Sequence, residues 1–212
     1  MVHVQEGDME SNYRKIVQQN LNSLFCGLPI GFEKNLPGVC EHEAFIFKAF
    51  GRECRIQKDG ILLDGAPQTG VIGILITLYA LNTKSERCLL EPLKSYKDFP
   101  NSMPYAPAFT THTEHILAPK VHEIKAGKDI ILKHLKGRDA AAIAGGDFSF
   151  LVYPFPKVAL CYVFYEADED FPASATCLFS SNADHFLPMD ALADAGEYTS
   201  KTILRIIGSF PN

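Results

Sequence analysis

The chain has 212 residues, 47% of them hydrophobic and 21% charged, with a formal net charge of -5. These proportions exclude a disordered or fibrous chain and supply enough apolar residues for a substantial core. With a pI near 5.8 and no basic strip interleaved with aromatics, a nucleic-acid surface is excluded, and no apolar run reaches the ~18 residues of a membrane span.

The first residues, MVHVQEGDMESNYRK, lack the basic flank, apolar stretch and small-residue cleavage site of a secretory signal. A cytoplasmic chain forming one domain over 1–212, with 1–8 as a flexible terminus, is expected. From Met9 through Tyr13, Ile16, Val17, Leu21 and Leu24 apolar residues recur at three and four, which predicts an amphipathic helix ending near Gly27. Residues 28–40, with Pro29, Gly31, Pro37 and Gly38, read as a loop. Ala44 to Phe50, Cys54 to Gln57 and Ile61 to Leu63 read as short strands of a meander, punctuated by Gly51, Asp59-Gly60 and Asp64-Gly65.

Gly70 to Leu81 is apolar nearly all round, and its length and the approach through Pro67 favour a buried helix. Residues 92–107 contain Pro92, Pro100, Pro104 and Pro107 and read as an irregular segment, either a packed surface loop or a lid over a pocket. A helical region from Ala108 to Leu135 is expected to break near Pro119 and Gly127. Gly145-Gly146 then makes a turn, and a strand over Phe148 to Tyr153 is expected to stop at Pro154-Phe155-Pro156. Val158 to Tyr165 is continuously apolar, as in a central strand covered on both faces. Another strand spans 174–179, and a helix introduced by Pro188 carries Leu192, Ala195, Thr199, Ile203 and Ile206 on one stripe. The fold class is α+β: a mixed, largely antiparallel sheet with packed helices in a single domain.

Charge is distributed unevenly. Between Lys157 and Lys201 there is no Lys or Arg, yet this stretch holds Glu166, Asp168, Glu169, Asp170, Asp184, Asp190, Asp194 and Glu197. Such a cluster repels itself unless solvent, a cation or a basic partner offsets it. If the strand stayed extended past Tyr165, Glu166, Asp168 and Asp170 would project to one side. Carboxylates at that spacing suit a hard divalent cation, with Asp168, Asp170 and His185 as metal ligands; the alternative is a solvated acidic turn that protects a strand end. His112, His115 and His122, with Glu114 or Glu123, offer a second ligand set, although the H-E-x-x-H pattern is absent and Pro119 threatens the register. Lys120, Lys125 and Lys128 in this region could pack against the acidic stretch.

The six cysteines are widely spaced, without a C-x-x-C pair, and read as free thiols, several of them, such as Cys161 and Cys177, inside apolar runs. No phosphate loop, dinucleotide turn or nucleophile elbow is present.

The motifs Phe50-Gly51-Arg52, Asp59-Gly60, Leu78-Tyr79, Gly146-Asp147, Pro154-Phe155-Pro156, Tyr165 through Pro172, Leu178-Phe179 and His185-Phe186-Leu187-Pro188 lie within the region from about Ala44 to Glu197. As a set they resemble a family of uncharacterised prokaryotic proteins, a domain of unknown function met chiefly in anaerobic bacteria and archaea. Some members are joined to iron–sulfur cluster domains, so the resemblance implies work near redox or corrinoid metabolism. The chain departs from the family pattern at Ala167 and at Ser180, where glycine and aspartate are usual.

The leading functional expectation is a soluble small-molecule or cofactor-binding module of anaerobic metabolism. Its ligand would lie between residues 92–107 and the sheet ends. Tyr96, Phe99, Tyr105 and Phe109 would form the walls, and Asp147, Glu166 and Asp168 would orient the ligand. The alternatives are a metal-dependent hydrolase or lyase using the acidic turn, and an interaction subunit offering its acidic surface to a basic protein partner.

Overall fold

The structure, a computed structural model, describes residues 6–26 and 35–209. Most of the expected flexible terminus (1–5), the end of the first predicted helix at Gly27 and the loop over 28–34 lie outside them. Helix α1 covers Glu6–Cys26 and buries Val17, Leu21 and Leu24. It packs against α2, Val71–Asn82, the apolar segment predicted as a helix.

Between these helices the chain forms a five-stranded antiparallel meander: β1 Val39–Glu41, β2 Ala44–Ala49, β3 Arg52–Gln57, β4 Gly60–Leu63 and β5 Ala66–Pro67. The second five-stranded sheet has the order β6-β10-β9-β8-β7, with β6 at Lys94–Ser95, β7 at Arg138–Asp139, β8 at Phe148–Phe155, β9 at Val158–Tyr165 and β10 at Ser174–Phe179. The class is α+β, and the strands divide between two sheets in which every pair is antiparallel. Helical pieces lie between β6 and β7: α3 Ala106–Phe109, a π turn Thr110–Glu114, a 3-10 turn Ala118–Lys120, α4 Val121–Ala126 and α5 Lys128–Leu135. The expected breaks at Pro119 and Gly127 are there. Helix α6, Met189–Gly208, closes the fold.

β9 is central, and every residue but Tyr165 is buried. Its two faces meet different partners because side chains alternate along a strand. Tyr162 points to α6, its hydroxyl 3.0 Å from Ser200 Oγ, and Phe164 joins the same core. Ala159, Cys161 and Val163 form a second cluster on the other face, covered by Cys88, Leu90, Leu93 and Ile143. The segment carrying Cys88 and Leu90 is held by the buried Asn182, whose amide donates to Arg87 O (2.9 Å) and accepts from Leu89 N–H (2.9 Å). Lys157 Nζ donates to Lys84 O at its start.

β8 runs on through Pro154, where the sequence predicts a stop. The ladder slips in register between Val152 and Phe155, so a residue without an N–H sits where regular pairing is already interrupted. Pro154 O is not idle: it accepts from Phe50 N–H (2.8 Å), which ties the β2–β3 turn to the second sheet. Phe155 then lies between the rings of Phe50 (5.1 Å) and Tyr79 (4.5 Å, stacked). One hydrophobic core therefore runs from α1 and the meander through this seam to α6. Among the described residues no helix is long and apolar enough to cross a membrane.

Candidate functional site

The irregular segment after β6 is tightly folded. Ser95 and Asp98 form a capping box on a short 3-10 turn, Tyr96–Asp98, which drives Tyr96 into the core. The Tyr96 hydroxyl donates to Met189 O (2.6 Å) at the start of α6, and its ring stacks on Phe109 at 4.4 Å. Phe99 is buried edge-on against Phe179. Ser102, also buried, donates from its hydroxyl to Phe99 O (2.8 Å) and pins the loop. These contacts give the segment a packed interior in place of a free lid. Tyr105 and Met103 stay outside, Met103 being 72% exposed.

After α3 the helix widens. His115 N–H donates to Thr110 O (2.9 Å), a five-residue closure of the kind that occurs mostly as single turns and often at functional sites. Glu114 ends this π turn. Its Oε1 accepts from Cys177 N–H (2.9 Å), a donor on the side of β10 that the two-residue β6 does not reach. A side chain thus completes the sheet edge, and the carboxyl is left half-buried. Gly196 of α6 makes room for this arrangement, since a Cβ there would lie 2.7 Å from the Phe109 ring.

Tyr96, Phe109, Met103 and Pro107 form apolar walls, and Glu114, Lys97 and His115 supply polar groups, around an open cleft of about 470 Å³. Burial pushes the Glu114 carboxyl above its ordinary range, against the opposing pull of Cys177 N–H, the Thr110 hydroxyl, His115 and Lys97. A half-buried carboxyl with displaced acidity in a cleft marks a candidate functional site.

This displacement has a stability consequence. A carboxyl whose acidity is weakened by folding favours the fold at low pH, and that contribution is lost as pH rises through its raised native value. Glu114→Gln keeps an acceptor for Cys177 N–H and removes the ionisation. Its melting temperature is expected to gain on the parent protein between pH 4 and pH 8; a constant difference across that range would contradict the burial of this carboxyl.

The other sequence candidates lie elsewhere. The strand ends at Tyr165, so Glu166, Asp168 and Asp170 do not continue along one face of an extended chain. Asp168 Oδ1 accepts from the N–H groups of Asp170 (2.9 Å) and Phe171 (2.7 Å), which turns the chain at that point. Asp147 Oδ2 accepts from Glu166 N–H (2.6 Å), and Glu166 pairs with Lys125. The basic helical region therefore does pack against the acidic stretch. His185 Nδ1 lies 2.7 Å from Glu86 Oε2. Among the described residues no group of three or more His, Cys, Asp or Glu side chains is placed to hold a metal ion, so neither Asp168, Asp170 and His185 nor the three histidines assemble as such a set. The cleft brings together Tyr96 and Phe109 from the expected aromatic wall; Asp147, Glu166 and Asp168 are not among its lining residues.

In the sequence Glu114 stands out only as a carboxylate that could join the histidines in holding a metal. Its role at the sheet edge depends on the π turn and on a pairing gap in β10, neither of which has a local signature.

A family model described as Domain of unknown function (DUF3786) matches residues 31–202, and the chain belongs to that family. The matched span takes in the whole cleft and Gly196, while α1 precedes it. No curated protein and no solved structure matches the chain.

Proposed function

We propose that this member of the family is a small-molecule-binding protein whose ligand occupies the cleft between Tyr96, Phe109 and Glu114. The observation that carries the reading is the half-buried Glu114 carboxyl, held by Cys177 N–H in a cleft whose walls are otherwise largely apolar. The aromatic wall is preformed: Tyr96 is fixed at its hydroxyl by Met189 O and at its face by Phe109, so binding would not have to order it. The setting we propose is the anaerobic, cofactor-dependent metabolism implied by the sequence resemblance, with a metabolite or a cofactor fragment as the bound species.

Met103 offers a direct probe because it lines the cleft and is exposed. With the methionine methyl groups labelled with carbon-13, a library of small metabolites and cofactor fragments is expected to contain members that shift the Met103 resonance and leave that of Met9, on α1, in place. Phe109→Ala should abolish those shifts. A library that moves no Met103 signal would sink the reading.

A further inference from the structure

We infer that the cleft takes an apolar molecule carrying a basic nitrogen, an arylalkylamine or amidine in class, with Glu114 as its counter-ion. The inference rests on the cleft being the ligand site and adds the sign of the ligand's charge. Of the charged lining residues, Lys97 and His115 are exposed and Glu114 is half-buried. Exposed charges are screened by solvent and salt, whereas a desolvated one keeps its field. Glu114 forms no ion pair with a basic side chain among the described residues. Its bonded partners, Cys177 N–H and the Thr110 hydroxyl, are neutral. A cation in the cleft would supply the missing countercharge.

Acidification should weaken binding by protonating Glu114, whose acidity burial has already weakened.

The test compares phenethylamine, 2-phenylethanol and phenylacetate, which share a ring and differ in charge, each titrated against the Met103 methyl resonance of the full chain. Phenethylamine should bind about tenfold more tightly than 2-phenylethanol, or better, as expected for one charge-assisted hydrogen bond. Glu114→Gln should bring the amine down to the level of the alcohol. Circular dichroism checks that this variant is folded. Phenylacetate binding as tightly as the amine, or an amine affinity unmoved by Glu114→Gln, would overturn the cation while leaving the cleft as the ligand site. A Met103 signal that none of the three probes moves would overturn both.

Discussion

Phe155→Ala is expected to destabilise the protein by about 3–5 kcal/mol, the range for removing a large aromatic from a closed core. The residue is fully buried, and its ring packs on Phe50 from the β2–β3 turn and on Tyr79 from α2. Phe50 in turn meets Tyr198 of α6 at 4.6 Å, so the cavity would open where the meander, α2, β8 and α6 converge. Neighbours at such a crossing belong to different elements and cannot all collapse inward at once. Small domains are stable by about 5–15 kcal/mol, so the loss would be a large share of the total. Urea unfolding followed by far-UV and near-UV circular dichroism should show one transition shifted as a whole. If the two sheets were independent units, the variant would instead split the curve and leave one midpoint where it was.

This seam also shows what could be read from residues alone. The apolar run of β9, the spacing of α1 and the stripe on α6 were legible because burial on a strand or a helix repeats at a fixed period. The breaks at Pro119 and Gly127 were legible because they follow from the chemistry of one residue. The division of strands between two sheets was not, since it depends on which strand edges meet, and Pro154 reads locally as a stop although its carbonyl is the joint between the sheets. The candidate site divides in the same way. Tyr96 and Phe109 stood out as aromatics in a proline-rich segment. Glu114 did not stand out from the many acids, because its distinction is a neighbour 63 positions away in β10. The acidic stretch after Tyr165 attracted attention through charge density, and the structure spends Asp168 and Asp147 on backbone N–H groups there.

Gly51→Ala should be nearly as damaging as the loss of Phe155, and the meander contains a control that shows why. Gly51 has φ +77, and an added Cβ would stand 2.4 Å from His134 O and 2.7 Å from Leu135 Cα, both backbone atoms at the end of α5. Gly65 has a nearly identical φ of +80 and nothing within 4 Å of the same position. At both sites an L side chain meets the left-handed penalty of about 1–2 kcal/mol. Only at Gly51 must backbone also shift, which adds about 1–3 kcal/mol of overpacking. The shift would act on the turn that carries Phe50, pulling its N–H from Pro154 O and its ring from Phe155. Gly65→Ala is therefore expected to lower stability by about 1–2 kcal/mol and Gly51→Ala by about 2–5 kcal/mol, measured by urea unfolding of the two variants side by side. Equal losses would mean that conformational strain is the whole cost and that the close approach of the meander to α5 contributes nothing. A larger loss at Gly51 would place the docking of the β2–β3 turn among the contacts that hold the two sheets as one body.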